Sequence, residues 1–224
     1  MLLKLLAQIT VWLLFQGALL FAAAGTLNWP QGWALIGEFG ALCVAISLWL
    51  LKTDPGLLAE RMGGINQKAQ ATSDRVLMSA ILLLWLSWCV LMGLDARWHG
   101  SRLPLWAEVL GGVALAAGFA AIAVVFRANT FAAPVVKLQS ERGQHVIDSG
   151  PYALVRHPMY TGGILVFIAF PLMLGSLWGL AGVPLLVAAI VARTLLEERT
   201  LRAQLAGYSD YTVRVRWRLV PYLW

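Results

Sequence analysis

The chain has 224 residues, of which 60% are hydrophobic and 12% charged, and its mean hydropathy is +0.74. A soluble domain carries about 25% charged residues, so this composition excludes a water-soluble globule, a disordered chain and a nucleic-acid binder. The formal net charge of +6 is therefore read first as membrane topology and only then as partner chemistry.

Crossing about 30 Å of hydrocarbon takes about 20 apolar residues. Residues 5–27 form the first such run. Lys4 and the small residues Ala22, Ala23 and Ala24 also imitate a signal peptide, but the apolar stretch exceeds the usual signal core. Residues 33–51, 76–94 and 105–126 supply three more spans. Glu38 stands alone inside the second and is costly there unless it faces a partner helix or a cavity. Cys43 and Cys89 lie inside apolar runs, with neither disulfide nor metal spacing, and read as small core hydrophobes. The 11 Trp suit a protein with two water–lipid interfaces to mark.

After Phe126 the chain changes character, and a polar segment of about thirty residues precedes the apolar stretch 159–196. That stretch is too long for one helix and is interrupted by Gly175, Ser176 and Gly179. It predicts a helical hairpin turning near residues 176–179, with Pro158 in the first turn of its opening arm, where the missing N–H costs nothing. The first arm, 159–174, is short for a full crossing. The expectation is an all-α, polytopic integral membrane protein with about six transmembrane helices (five if the first is cleaved or the last hairpin is partial). It divides into a four-helix membrane region, 1–126, and a catalytic region, 127–224, with the hairpin and a charged tail.

Six spans with a cytoplasmic N-terminus sort the 17 Lys and Arg unequally. Fifteen fall on the cytoplasmic side: Lys4, then Lys52, Arg61, Lys68 and Arg75, then Arg127, Lys137, Arg142 and Arg156, then Arg193, Arg199, Arg202, Arg214, Arg216 and Arg218. Only Arg97 and Arg102 fall outside. Lys and Arg accumulate on the cytoplasmic side, so both termini and both long loops are placed there.

The polar residues of the second half converge on that side. Residues 144–152 lead into Arg156, His157 and Pro158, and Arg193, Glu197 and Glu198 stand at the end of the last span. Local chemistry leaves each piece open: Gly150-Pro151 is a turn signal, His157 could cap the helix, and Tyr152 and Tyr160 could anchor at headgroups. Arg193 and Glu197, four apart, could form a simple ion pair. Together they describe something more. Exposed N–H groups at a helix start attract anions, glycines permit close backbone approach, and carboxylates accept hydroxyls or amines. Irregular backbone near membrane depth is tolerated where protein buries it or it lines a cavity. The combination suits a small, multiply charged cofactor reached from the cytoplasm beside a lipid-facing opening.

The string Gly150-Pro151-Tyr152-x-x-Val155-Arg156-His157-Pro158-x-Tyr160-x-Gly162 resembles the hallmark of the isoprenylcysteine carboxyl methyltransferase family, which has phospholipid N-methyltransferase relatives. Glu197-Glu198-x-x-Leu201, Gly207-Tyr208-x-x-Tyr211 and Val220-Pro221 extend the resemblance. Asn129 with Phe131, and Asp54-Pro55 followed by Glu60-Arg61, resemble bacterial members, which implies a bacterial inner membrane. The resemblance implies an integral-membrane methyltransferase that uses S-adenosylmethionine. By position it implies a cofactor pocket of Gln144, His145, Val146, Ile147, Tyr152, His157, Pro158, Met159, Tyr160 and Glu197, with no metal. It associates Arg193 with an acceptor carboxylate, a use suited to its planar donor fork, and makes His157 the second catalytic candidate. If the nucleophile needed deprotonation, His157 or Glu198 would be the bases to consider. The implied partner is a lipophilic small molecule, lipid or prenylated acceptor, methylated on a carboxylate. An NADPH-dependent sterol or enone reductase, and a phospholipid or small-molecule N- or S-methyltransferase, are the alternatives.

Overall fold

The computed structural model describes residues 1–65, 67 and 70–224, so Lys68 of the basic count lies outside the described residues. Eight α-helices occur among them: α1 (Leu2–Ala24), α2 (Pro30–Thr53), α3 (Pro55–Met62), α4 (Thr72–Leu94), α5 (Leu105–Ala128), α6 (Pro158–Met173), α7 (Leu177–Gln204) and α8 (Tyr208–Arg214). Five of these, α1, α2, α4, α5 and α7, are long and apolar enough to cross a membrane. The protein is a multi-pass membrane protein.

Punctuation residues set most boundaries. α1 ends at Gly25, whose φ of 70° returns its N–H to the Phe21 carbonyl, so the helix stops before the apolar run does. α2 starts on Pro30, three residues earlier than the apolar count suggested. α3 was not legible as a helix within the 52–75 loop. The Asp54 side chain accepts a hydrogen bond from Leu57 N at 2.9 Å, and Pro55 occupies the first helical position.

The hairpin between α6 and α7 forms as expected, turning through residues 174–176. The Ser176 hydroxyl caps α7 by accepting from Gly179 N at 2.9 Å. With 16 residues, α6 is about 24 Å long at 1.5 Å per residue, shorter than a perpendicular crossing. It is held tightly against α5. A Cβ on Gly162 would lie 3.1 Å from the Gly118 carbonyl oxygen, and one on Gly118 would lie 3.0 Å from that of Gly162. Small residues let membrane helices approach this closely, and the gain there is packing rather than water release.

A single core cluster joins buried residues of α1, α2, α4, α5, α6 and α7, including Leu20, Leu35, Trp88, Leu115 and Phe170. Cys89 is among them, and both cysteines are free. Glu38 points at α5, where a Cβ on Gly112 would come within 3.0 Å of its carboxylate. The alternation of helices gathers the end of α2, all of α3, the start of α4, the end of α5, the start of α6 and the end of α7 at one end of the bundle. Arg97 and Arg102 stand at the other.

Candidate active site

The segment between α5 and α6 holds only two short 3-10 turns, Ser140–Arg142 and Gly150–Ala153. Buried backbone without a ladder needs other partners, and side chains supply them. Asn129 accepts from Phe131 N at 2.8 Å and donates to the Tyr152 hydroxyl at 2.8 Å. Gln139 donates to the Phe131 carbonyl at 2.8 Å, and Arg142 donates to the Thr130 carbonyl at 3.0 Å. Asp74, at the start of α4, accepts from Val136 N at 3.1 Å and ties the segment to the bundle. Gly150 takes a φ of 58°, which a side chain would strain, and so admits the turn carrying Tyr152.

The C-terminal tail closes the other side. Arg156 N and His157 N donate to the Trp217 and Arg218 carbonyls, each at 2.9 Å, so the approach to α6 is satisfied by the tail. Arg156, 5% exposed, reaches Glu198 Oε1 at 2.6 Å and the Val215 and Arg216 carbonyls at 2.8 and 3.0 Å. Glu198 also receives His157 Nε2 at 3.3 Å and Arg218 Nε at 3.2 Å. Its two oxygens are thus occupied by Arg156, His157 and Arg218. This removes Glu198 from consideration as a general base and makes it the knot joining α7, the start of α6 and the tail.

Between these walls lies a narrow cleft of about 100 Å³. Gln144, His145, Val146, Ile147, Tyr152, His157, Met159, Tyr160 and Glu197 all line it. The sequence brought these nine residues forward from three separate stretches, and folding places them around one space. Pro158 differs, being buried in the first turn of α6 rather than lining the cleft. Arg193 stands behind Tyr160, its guanidinium 5.5 Å from the ring centre, and donates to the Pro134 carbonyl at 2.5 Å. It forms no ion pair with Glu197 within 4.0 Å, so the simple i,i+4 pairing is not what this helix face is for.

Glu197 is instead held by the Tyr160 hydroxyl, which donates to its Oε2. Tyr160 stacks on His157, ring centres 5.5 Å apart and planes 3° from parallel. Thus two adjacent acids on one helix divide: Glu198 is consumed by structure, while Glu197 keeps Oε1 without a partner among the described residues. Gln144 is partly engaged, accepting from Gln139 N at 2.7 Å, and His145 is exposed against the edge of Phe131.

The fold adds lining residues that the sequence reading left out of the pocket, among them Asn129, Phe131, Lys137, Tyr208 and Tyr211. Their signal was present for four of them, which sit in strings already singled out. Lys137 had none: it lines the cleft because Glu60 of α3 pairs with it at 2.6 Å. Burial pushes the Tyr152 hydroxyl up to about 12, with the Glu197 charge adding and the Asn129 hydrogen bond opposing. Burial likewise raises Tyr208 and Tyr211, outside the spans, so all three phenols are neutral donors at physiological pH. The buried Tyr208 hydroxyl has no partner among the described residues.

Residues 106–206 match the model of the phospholipid methyltransferase family. Over this span, 101 of its 224 residues, the chain is similar to that family of membrane methyltransferases. No curated protein and no solved structure matches the chain. The matched span of this membrane methyltransferase opens at the second residue of α5, runs through the stapled segment, α6 and α7, and stops before α8. It therefore takes in most of the cleft, whereas Tyr208 and Tyr211 come from beyond it.

Proposed function

We propose that this methyltransferase uses S-adenosylmethionine, bound in the cleft, to methylate the carboxylate of a lipophilic acceptor, in the manner of the isoprenylcysteine enzymes its motifs resemble. The observation that carries the cofactor reading is the pairing of a free carboxylate oxygen with an orphaned donor in one aromatic cleft. Glu197 Oε1 suits an amine or ribose hydroxyl, and the buried Tyr208 hydroxyl, unpartnered among the described residues, suits a polar acceptor atom. Phe131, Tyr152, Tyr160 and His157 offer aromatic faces, which favour an adenine ring or a sulfonium cation. When bound, S-adenosylmethionine supplies a methyl group already activated on sulfur.

The residues then have chiefly to align and to exclude water. Tyr160 fixes Glu197 from one side while His157 stacks beneath it. Glu198 is taken up by Arg156, His157 and Arg218, so it is not free to take a proton. A carboxylate acceptor is ionised at neutral pH and needs no base, which is why it is favoured over an amine or thiol. The cytoplasm is the side from which the cofactor reaches the cleft, as the distribution of Lys and Arg supports.

Equilibrium binding to the purified protein in nanodiscs tests this. S-adenosylhomocysteine should bind the wild type, and Glu197→Gln and His157→Ala should each weaken it at least tenfold without loss of insertion. Labelled S-adenosylmethionine with a membrane lipid extract should give a methyl ester, released by mild base. NADPH binding without S-adenosylhomocysteine binding would overturn the cofactor reading, and a base-stable product would overturn the carboxylate.

A further inference from the structure

Residues 216–224 fold into a hook seated on α6 and α7. Arg218 N, Leu219 N and Val220 N converge on the Trp224 backbone oxygen at 2.9, 3.0 and 3.3 Å. Leu219 belongs to a buried cluster with Tyr160 and Ile190, against which Ile164, Val191 and Trp224 pack. The hook therefore rests on apolar parts of the membrane helices. Its tip, Val220-Pro221-Tyr222-Leu223, is exposed throughout, Tyr222 and Leu223 by 88% and 78%. Tyr222 takes a φ of 65°, alone among the described non-glycine residues. Strained backbone of this kind collects at functional sites.

The charges beside the hook do not balance. Arg156, Arg202 and Arg218 lie 2.6, 3.8 and 3.2 Å from Glu198, so one carboxylate serves three guanidinium groups. Arg156 is buried, whereas the Arg202 and Arg218 side chains are 47% and 28% exposed and reach the surface. The Arg218 guanidinium also rests 4.8 Å from the Trp224 ring centre. Arg216 is exposed and forms no ion pair among the described residues. Cations thus outnumber acids at the place where the apolar tip emerges.

We propose that the hook binds an anionic phospholipid of the surrounding leaflet, its phosphate held by Arg202 and Arg218 and its acyl chains beside Trp224 and Leu223. Guanidinium groups hold phosphate oxygens with charge-assisted hydrogen bonds, and basic residues at a membrane surface draw in anionic lipids. A free anion would leave the apolar tip in water, and a zwitterionic lipid would return a positive charge to a site that already has an excess. Arg202, Arg218 and Trp224 line no part of the cleft, so this lipid is not the methyl acceptor, and the site does not depend on the cofactor reading. It nonetheless reaches the cleft wall. The Trp217 and Arg218 carbonyls receive Arg156 N and His157 N, so a lipid that steadies the hook steadies the start of α6.

The test places the full chain in phosphatidylcholine nanodiscs with and without phosphatidylglycerol of the same acyl chains. Native mass spectrometry counts the lipids retained, and hydrogen exchange follows the Leu219, Val220, Arg156 and His157 amides. The wild type should retain phosphatidylglycerol in preference to phosphatidylcholine, and phosphatidylglycerol should slow exchange at all four amides. Arg202→Gln removes only the longest of the three arginine contacts to Glu198 and should cut the preference about fivefold, the worth of one basic residue at an anionic surface. Tyr222→Ser with Leu223→Ser, at exposed positions, should weaken retention of both lipids. Equal retention of the two lipids by the wild type would overturn the proposal, as would an unaltered preference in Arg202→Gln or exchange indifferent to phosphatidylglycerol. Equal slowing by inorganic phosphate in phosphatidylcholine nanodiscs would reveal a site for a free anion and would overturn it too.

Discussion

Glu197 and Glu198 are neighbours in sequence and opposites in the fold, and replacing each in turn separates structure from function. Glu198 is 3% exposed and receives Arg156, His157 and Arg218 at 2.6, 3.3 and 3.2 Å. Glu198→Gln keeps the volume but leaves the Arg156 guanidinium buried without an anion. Breaking a buried pair from one side costs about 3–5 kcal/mol. The carbonyls of Val215 and Arg216 still solvate Arg156, which sets the expectation toward the lower figure. For a chain of this size that is a fall in Tm on the order of 10 °C. The tail should loosen first, because Glu198 anchors it through Arg156 and Arg218. Thermal unfolding in detergent, with tryptic release of the tail at Arg214, Arg216 and Arg218, reads both effects. Glu197→Gln should leave the Tm within about 2 °C, since the amide oxygen can still accept from the Tyr160 hydroxyl and only the unpartnered oxygen becomes an NH2 group, a change of about 1 kcal/mol or less. A Glu198→Gln protein with wild-type Tm and an equally protected tail would refute the assignment of Glu198 as the structural knot.

Gly162→Ala should lower stability by about 1–3 kcal/mol, because the new Cβ meets the Gly118 carbonyl at 3.1 Å between two stiff helices; thermal unfolding checks it, and an unchanged Tm would show that α6 can shift. Asp54→Ala should cost about 1 kcal/mol through loss of the α3 cap and raise hydrogen exchange at Leu57 first. The Tyr152 hydroxyl is held up to about 12, against a free value near 10. Its neutral form is the one the fold favours, so the stabilisation is complete below pH 10 and is lost as pH rises from about 10 towards 12. Phenolate absorbance should therefore appear later in the native protein than in the unfolded chain, and unfolding should become easier over that interval.

Much of the membrane architecture is legible in one dimension because hydrocarbon thickness translates directly into run length. The hairpin and its turn follow from Pro158, Gly175 and Ser176, whereas the nine cleft residues are those that the resemblance to the isoprenylcysteine methyltransferases implies. α3 escaped because eight residues containing Glu60 and Arg61 have no strong apolar period; an Asp-Pro cap, not hydrophobicity, starts it. Lys137 escaped because its position depends on that helix.

The amino-acid sequence alone determines that the chain is a helical membrane protein, how its helices alternate, and which polar residues collect at one end. Those properties depend on composition and local spacing. The tertiary structure decides which of two adjacent acids faces the cleft, that Arg193 turns to Tyr160 and Pro134 instead of to Glu197, and that three arginines share Glu198. Each of those depends on charges brought together across long stretches of chain, where distance in space, and not order in sequence, sets the interaction.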